Sequence, residues 1–389
     1  MRTLVIWGAG RIGRGFVAPI FREENWRIVF VDVDRELVDL LNERGKYTIF
    51  RATVDGVRRE VVEGGFTALH TSDADALNRL FLDESLLLDI AVHATELGRV
   101  ASMLTPLIRL RAEKTPHAPL DILMNVNMSR PDEVFRDLLN QAFASDEGVL
   151  SYIDHSVGIS GIAAACISPV APDEMKQEDP LALINNNYPE QAVSIEAFRG
   201  ELPRLPRLRL TENIAREETR KLYTLNMAHA LLCYLGLPKG YRTVIEAMAD
   251  PDLRALVDQA LDEANHGLAA RLSFTQEELA GWRDTVISLL LNPYIDDVLQ
   301  RLGADTRRKL ARHDRMVGPA EWCLDAGRKP HAIARAILKG FSYENDDEGP
   351  RAVRSLALSQ PLTEVIRQVC GLENGHPLIN IMINHTEEE

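Results

Sequence analysis

A chain of 389 residues, of which 46% are hydrophobic and 26% charged, is long enough for two hydrophobic cores and excludes a collagen-like or largely disordered protein. Its formal net charge of −14 argues against a nucleic-acid or anionic-membrane partner, because both are bound by clustered lysine and arginine. The four cysteines are far apart, and the sequence has neither a signal-peptide pattern nor an apolar run of membrane-spanning length. We therefore expect a cytoplasmic protein, a monomer or a small homo-oligomer, whose partner is a small molecule.

Short apolar runs alternate with helical patterns through the first half of the chain. This alternation is typical of βα units on a doubly wound parallel sheet. The runs that predict strands are Thr3–Trp7, Arg27–Val31, Leu86–Val92 and Leu120–Met124. We therefore predict an α/β, Rossmann-type dinucleotide-binding domain over residues 1–198.

The pattern changes after Phe198. The proline-containing run 202–206 is typical of a linker, and the sequence beyond it has helical periodicity. Pro251-Asp252 and Thr275-x-x-Glu278 are residue types that begin helices. We therefore predict a mostly α-helical substrate and catalytic domain over residues 199–389.

A glycine-rich turn follows the first predicted strand and opens a helix. The three glycines suit a tight turn, a close approach of the backbone to a pyrophosphate, and close packing of helix on strand. The N-terminus of the helix adds free N–H groups for the phosphates. The residues that we predict to contact a dinucleotide here are Gly8, Gly10, Arg11, Ile12 and Gly13.

An acidic residue follows the second predicted strand. Asp32 stands nineteen residues after Gly13, close to the spacing at which a carboxylate binds the adenosine ribose hydroxyls. This carboxylate would repel a 2′-phosphate, which favours NAD over NADP, although Arg35 lies nearby in the sequence. A purely structural glycine turn with an exposed Asp32 does not account for the whole strand, turn, helix and strand arrangement.

Three polar residues interrupt an apolar helical segment of the second domain. At about 100° per residue, Lys221, Asn226 and His229 fall within about 140° around an α-helix, so they can line one pocket. Burial lowers the pKa of a lysine, so Lys221 is a candidate to take the proton from a hydroxyl while hydride leaves the same carbon. Asn226 would donate to the reacting oxygen, and His229 would orient the substrate or the lysine. A buried structural network of the same residues fits the spacing equally well.

Charged and metal-binding residue types give weaker signals in the helical domain. Its densest basic cluster contains Lys309 and Arg315, which are candidates to bind a substrate phosphate. The alternative is a solvated helix surface paired with Asp305 and Asp314. His93, His155, His266 and His313 have neither H-E-x-x-H spacing nor neighbouring cysteines, so we predict no metal site.

These motifs together resemble the signature of the polyol-specific long-chain dehydrogenases. The resemblance rests on the glycine-rich turn and the lysine–asparagine–histidine helix, and it extends to Asn292-Pro-Tyr294 and Asp314-Arg315. It implies a metal-independent, NAD-linked interconversion of a polyol, or its phosphate, and the ketose, with Lys221 as general acid/base. It also implies an active-site asparagine after the last strand of the cofactor domain, which is Asn127 in this chain.

Two positions depart from the pattern of that family. The residue before the asparagine, usually acidic in the family, is Val126 here. An Asp-Arg pair that precedes an Ile-x-Pro turn in relatives is matched by Gly158 and Ile159, with extra residues inserted. Both changes fall on the substrate side, so redox chemistry is expected while the substrate is left open.

Other functions stay open on sequence grounds. Within the family, the alternatives are a hexuronate (fructuronate or tagaturonate) reductase and another mannitol or arabinitol dehydrogenase. Enzymes of the β-hydroxyacid or 6-phosphogluconate dehydrogenase type also combine a Rossmann domain with helices. Their spacing is Lys-x-x-x-Asn after a glycine-rich turn, whereas residues 216–220 contain no glycine here. A non-catalytic NAD-binding sensor or scaffold is an alternative of another class, which turnover with any polyol would exclude.

Overall fold

The computed structural model describes residues 2–295 and 297–388. The chain divides into two compact units, Met1–Glu218 and Thr219–Glu389. The first unit combines a large, mostly parallel sheet with helices, and the second is built of helices. The predicted fold class, a Rossmann-type domain followed by a mostly helical domain, is therefore confirmed.

Strands of the first unit form two sheets. In chain order they are β1 (Thr3–Trp7), β2 (Arg27–Asp32), β3 (Lys46–Thr53), β4 (Gly56–Glu63), β5 (Phe66–His70), β6 (Leu86–Ile90), β7 (Leu120–Met124), β8 (Val157–Ala163), β9 (Leu183–Asn185), β10 (Gln191–Ser194) and β11 (Leu208–Thr211). The larger sheet has the order β11-β10-β8-β7-β6-β1-β2-β5, and the smaller one the order β4-β3-β9. The predicted bounds of β1 and β7 are exact, and those of β2 and β6 differ at their C-terminal ends.

The strand order reverses beside β1. From β1 the chain passes to β2 and β5 on one side and returns to β6 and β7 on the other, all in parallel. Trp7, the last residue of β1, pairs with Val31 of β2 and Ile90 of β6, so the carboxyl ends of the three strands are level. In doubly wound sheets a crevice at this point is where ligands bind.

Helices cover both faces of the larger sheet. They are α1 (Ala18–Arg22), α2 (Arg35–Arg44), α3 (Ala74–Phe81), α4 (Leu97–Lys114), α5 (Pro131–Ala142) and α6 (Glu147–Ser156). A further short helix, α7 (Asp173–Glu178), has no buried residue. Val5 and Leu88 belong to one core, whereas Ile6 and Leu87 belong to the other. Successive residues of β1 and β6 thus face opposite cores, as a sheet buried on both faces requires. The run 202–206 joins β10 to β11, and its Leu205 is buried in the second of these cores.

The smaller sheet supports the helix that follows the glycine-rich turn. Arg51 of β3 and Asn185 of β9 both donate to the carbonyl oxygen of Gly15, at 2.8 and 2.9 Å. In an α-helix this carbonyl would accept from the residue four positions on, but that residue is Pro19, which has no N–H. The two side chains therefore satisfy a carbonyl that the α-helical pattern cannot.

The second unit is helical in its described part, apart from an isolated bridge between Thr243 and Val298. Helix α8 (Ile214–Lys221) runs across the unit boundary. The helices after it are α9 (Met227–Gly236), α10 (Val244–Ala249), α11 (Pro251–Leu272), α12 (Gln276–Leu290), α13 (Leu299–Gly303), α14 (Thr306–Lys309), α15 (Val317–Asp325), α16 (His331–Phe341), α17 (Glu348–Ser359), α18 (Leu362–Val365) and α19 (Pro377–Glu388). Helix α11 begins at Pro251 and α12 begins after a Thr275–Glu278 capping box, as predicted, and the N-cap of α11 is Asp250. Among the described helices, we find none long and apolar enough to cross a membrane.

Candidate active site

The glycine-rich turn lies where β1 ends, next to the end of β6. Gly8 has a φ of +108°, and a Cβ atom there would lie 2.4 Å from the carbonyl oxygen of Ala91. A Cβ atom on Gly13 would lie 2.2 Å from the carbonyl oxygen of Gly8. Around Gly10, in contrast, no heavy atom of the described residues lies within 4 Å of the Cβ position. Packing therefore requires Gly8 and Gly13, whereas Gly10 leaves the open space in which a backbone can meet a pyrophosphate.

The start of the following helix includes one residue that the sequence analysis missed. Arg11 and Ile12 are the first helical residues, and Ile12 packs against the core. Arg14 is buried, and its guanidinium donates to the carbonyl oxygens of Ala9, at 2.6 Å, and Leu181, at 2.9 Å. Burial lowers the pKa of this guanidinium. Arg14, directly after Gly13, therefore stabilises the glycine-rich turn through its hydrogen bond to Ala9.

Asp32 lies beside the glycine-rich turn. Its Oδ2 accepts the backbone N–H of Ala9 at 2.7 Å, and its Oδ1 accepts that of Asp34 at 3.0 Å. Each carboxylate oxygen can accept a further hydrogen bond. The guanidinium of Arg35 donates to Ser72 at 2.9 Å and to Asp73 at 3.3 Å. The carboxylate is thus oriented by the turn, and the nearby arginine is engaged elsewhere.

Asn127 lies just beyond β7, at the sheet edge where the glycine-rich turn also lies. Its side chain is exposed, and a tight turn with a 2.9 Å bond from the N–H of Met128 to the carbonyl of Val126 surrounds it. Val126 is buried in a hydrophobic core. The position that is usually acidic in the family is therefore a packing position here.

The second departure also has a structural cause. A Cβ atom on Gly158 would lie 2.2 Å from Oδ1 of Asp121, whose carboxylate accepts the backbone N–H groups of Arg199 and Gly200 at 2.7 and 3.0 Å. An acidic side chain has no room at Gly158. Farther along β8, a Cβ atom on Gly161 would lie 2.2 Å from a carboxylate oxygen of Glu218. Glu218, three residues before the candidate base, is a polar residue of this region that the sequence analysis missed.

In the second unit, the predicted lysine, asparagine and histidine lie around a π-helical turn. The turn spans Leu222–Asn226, between α8 and α9. A π-turn closes with a bond between residues five apart, so Lys221 and Asn226 lie about one turn apart instead of about 140° around an α-helix. From Leu222 to Gly236 every residue except Asn226 and His229 is buried, and Lys221 is half-buried. The three residues form the accessible strip of this segment.

Neighbouring side chains hold the π-turn in place. The hydroxyl of Thr224 donates to the carbonyl of Arg220 at 2.6 Å, and it accepts the indole N–H of Trp282 at 2.8 Å. The guanidinium of Arg220 lies over the rings of Trp282, at 4.4 Å, and Phe274, at 5.2 Å. The segment that carries Lys221 is therefore fixed on both sides of the turn.

Two buried cations, Lys309 and Arg315, lie close to His229. His229 is half-buried, and the resulting loss of solvation lowers its pKa to about 4, with the charges of Arg301, Arg315 and Lys309 contributing in the same direction. Asp297, which is paired with Arg301 at 2.6 Å, opposes this shift. His229 is consequently a neutral imidazole near pH 7.

Lys309 and Arg315 are both buried and differ in their partners. The Lys309 ammonium donates to the carbonyl of Leu302 at 2.7 Å. Arg315 is paired with Asp314 at 2.8 Å, and its Nη2 is buried with no partner among the described residues. Burial, followed by the charges of Arg315 and Arg308, lowers the pKa of Lys309 to about 7. The cluster of Lys309, Arg315 and Asp314 therefore contains more positive than negative charge.

The predicted solvated surface forms only part of this region. Arg308 is paired with Asp305 and Asp314, and Arg312 with Glu321. These pairs are partly exposed, unlike Lys309 and Arg315. Within the described residues, no three His, Cys, Asp or Glu side chains are grouped so that they could hold a metal ion.

Comparisons with known proteins match both units. A family model described as the mannitol dehydrogenase Rossmann domain matches residues 2–207, and one described as the mannitol dehydrogenase C-terminal domain matches residues 213–386. The chain belongs to the mannitol dehydrogenase family. The predicted family is thereby confirmed, and the protein is an oxidoreductase that acts on CH–OH groups.

Relatives and solved structures of the same fold match along almost the whole chain. A mannitol-1-phosphate 5-dehydrogenase of Bacillus licheniformis is 30% identical over 383 residues, which cover 97% of this chain and 98% of that protein. One of Bacillus velezensis is 28% identical, with 97% of each chain covered. The mannitol 2-dehydrogenase of Pseudomonas fluorescens, solved with NAD and D-mannitol, has the same fold, with a TM-score of 0.79 at 17% identity over 98% of this chain and 90% of that one. A D-sorbitol dehydrogenase has a TM-score of 0.77 at 18% identity, with 99% and 92% covered.

Proposed function

We propose that this protein is an NAD-dependent, metal-independent dehydrogenase that interconverts a hexitol phosphate and the ketose phosphate, as the names of its Bacillus relatives indicate for those proteins. The accessible strip of Lys221, Asn226 and His229 carries the proposal. On a helix whose other residues are buried from Leu222 to Gly236, these polar groups are the ones that a ligand can reach.

The residues of the first unit fit a dinucleotide. Gly8, Gly10 and Gly13 shape the turn, and the first N–H groups of the helix at Arg11 and Ile12 suit a pyrophosphate. NAD bound there supplies an acceptor for the hydride that leaves the carbinol carbon. Asp32 would accept the ribose hydroxyls, and the engagement of Arg35 with Ser72 and Asp73 supports NAD over NADP.

The polar residues of the lysine helix would accept the substrate proton and form hydrogen bonds to the substrate. During oxidation the carbinol C–H bond breaks as hydride leaves, the O–H proton moves to the neutral amine of Lys221, and the C=O bond forms. Asn226 and Asn127 would donate hydrogen bonds to the reacting oxygen. His229, which is neutral, would accept a hydrogen bond from a neighbouring hydroxyl of the polyol. Reduction of the ketose runs the same transfers backwards.

Lys309 and Arg315 would bind the substrate phosphate. A phosphate monoester carries a charge of about −1.5 to −2 near pH 7. The buried cations outnumber the buried acid Asp314, and Nη2 of Arg315 has no partner among the described residues. A phosphate would supply the negative charge and the acceptor oxygens that this cluster lacks.

The cysteines support a reducing compartment. The structure shows no disulfide among these four residues, and Cys233, Cys323 and Cys370 are buried. Burial raises the pKa of Cys233 to about 12, so this thiol stays protonated. We therefore place the reaction in the cytoplasm.

A substrate screen tests the proposal. Formation of NADH would be followed with hexitols, hexitol phosphates and hexonates, each with and without EDTA. We expect a kcat/KM for a hexitol phosphate at least about tenfold above that for the free hexitol, because charge-assisted hydrogen bonds to phosphate are strong. EDTA should have no effect, since Lys221 needs no Lewis acid. Turnover of hexonates alone would indicate a hexuronate reductase, EDTA inhibition reversed by zinc would contradict the lysine mechanism, and NADH binding without any turnover would favour a sensor.

A further inference from the structure

A polar cluster of two buried side chains and the half-buried Asn125 lies where β6 and β7 end. Asp89 is the last residue but one of β6, Asn125 directly follows β7, and Gln191 begins β10. Asp89 and Gln191 are 0% exposed. The amide nitrogen of Asn125 donates to Oδ2 of Asp89 at 2.5 Å and lies 3.5 Å from Oε1 of Gln191. None of these side chains belongs to the glycine-rich turn or to the lysine helix.

The cluster lacks hydrogen bonds for an ionised Asp89. Its Oδ1 and the amide nitrogen of Gln191 have no partner among the described residues. The residues that pair with Asp89 on the neighbouring strands are Ile6 and Leu123, both apolar. An ionised carboxylate with a single neutral donor in such surroundings is costly.

Asp89 is consequently protonated near pH 7. Burial raises the pKa of Asp89 to about 8, the hydrogen bond from Asn125 acts in the opposite direction, and no charged group contributes. Below that pH the carboxyl is neutral and brings an O–H donor to the cluster. At a pH above about 8, the Asp89 carboxylate must be solvated or the surrounding segment must move.

Asn125 connects this cluster to the predicted active site. Asn127 follows it by two residues, across the tight turn between Val126 and Met128. Val126 is anchored in the core, and Asn125 is anchored on Asp89. With both residues before it fixed, the backbone presents Asn127 in one place.

We propose that the protonated carboxyl of Asp89 is a positioning group for Asn127, acting through Asn125 and the turn after β7. The inference rests on the proposed function, in which Asn127 contacts the reacting oxygen. Loss of the proton strengthens the hydrogen bond from Asn125 but leaves an unsolvated charge in an apolar sheet, so water must enter or the segment must move, and the turn rearranges. The positioned state is present below the pKa of Asp89 and is lost as the pH rises through it.

Nuclear magnetic resonance tests the positioning without turnover. In the full protein with ¹⁵N-labelled asparagine side chains, the Asn125 and Asn127 signals are assigned by single Asn→Ser substitutions. We expect both signals to shift together as the pH passes about 8 in the wild type and to stay constant in Asp89→Asn, whose amide never ionises. An Asn127 signal that does not move in the wild type, or that moves equally in Asp89→Asn, overturns the proposal.

Kinetics with a matched control tests the consequence. Asp89→Asn should abolish the loss of kcat with an apparent pKa near 8 while leaving NADH affinity unchanged. The control is Asp121→Asn, a second buried aspartate, whose carboxylate accepts two backbone N–H groups and does not touch Asn125. Asp121→Asn should lower the thermal stability of the protein and should keep the loss of kcat near pH 8. Loss of that ionisation in Asp121→Asn, or its retention in Asp89→Asn, overturns the proposal. A wild type without polyol turnover refutes the proposed function instead, and the resonance experiment then still decides whether Asp89 positions Asn127.

Discussion

The backbone N–H of Ala9 donates a 2.7 Å hydrogen bond to the carboxylate of Asp32, so the end of β2 is tied to the glycine-rich turn after β1. This bond orients the carboxylate while leaving each oxygen able to accept another donor. Asp32 is therefore the group that would decide between a ribose hydroxyl and a 2′-phosphate.

We expect the wild type to bind NADH more tightly than NADPH, and Asp32→Ala to lose most of this preference. Charge-assisted hydrogen bonds to the ribose contribute about 1.5–3 kcal/mol, and the same carboxylate repels a 2′-phosphate. Fluorescence titration with both nucleotides measures the difference. Asp39→Ala, at an exposed position of α2, serves as control and should keep the preference. Equal affinities in the wild type would refute the role of Asp32.

Gly10 and Gly13 should respond differently to the same added methyl group. Gly13→Ala should lower the free energy of unfolding by about 1–3 kcal/mol, because its Cβ atom would collide with the backbone of Gly8. Gly10→Ala meets open space, so its stability should change by less than about 1 kcal/mol. Its NADH affinity should nevertheless fall by about tenfold or more, because the methyl group occupies the place of the pyrophosphate. Thermal unfolding and NADH titration separate the two effects, and an unchanged affinity in Gly10→Ala would show that the dinucleotide lies elsewhere.

The sequence predicts those parts of the fold that depend on local periodicity. β1 and β7 have their predicted bounds because both are short runs buried on both faces. Helices begin at Pro251 and after the Thr275–Glu278 capping box, as those residue types indicate. The smaller sheet was not predicted. Its link to the first helix depends on Arg51 and Asn185 meeting a carbonyl that Pro19 leaves unpaired, which is a contact between residues far apart in the chain.

Within the candidate site, residue types could be predicted but not their exact arrangement. A helical wheel assumes α-helical geometry, whereas the π-turn from Leu222 to Asn226 changes the angle between Lys221 and Asn226. Gly158 appears in the sequence as a lost acidic residue, and the structure shows that Asp121, from the neighbouring strand, fills the space beside it. The burial of Lys309 could not be predicted from the sequence either, because a run of charged residues usually indicates a solvated surface.

Binding of a phosphorylated substrate should take up protons. Because burial and neighbouring cations lower the pKa of Lys309 to about 7, most of this lysine is neutral at a pH somewhat above 7. A bound phosphate dianion raises that pKa, so up to about one proton is taken up per substrate bound. Calorimetry in two buffers of different ionisation enthalpy measures the number.

Lys309→Met should abolish this proton uptake and weaken binding of the hexitol phosphate more than that of the free hexitol. Lys329→Met, at an exposed position, is the matched control and should behave as the wild type does. Because Lys309 is charged below its pKa, phosphate affinity should fall as the pH rises through about 7 in the wild type. Proton uptake that persists in Lys309→Met would place the phosphate elsewhere.

The turnover of Lys221→Ala, measured across pH beside its NADH affinity, tests the central claim most directly. A general base contributes about 10²–10⁴-fold in rate, so we expect a loss of that size with NADH binding nearly unchanged, and Lys329→Ala as a control should keep full activity. The pH profile of polyol oxidation by the wild type should contain one ionisation that raises the rate, separate from the loss near pH 8 assigned to Asp89, because the neutral amine of Lys221 accepts the proton. This rise should be absent from the residual activity of Lys221→Ala. Turnover close to that of the wild type with the same rise, or a variant that unfolds, would instead make Lys221, Asn226 and His229 a structural network.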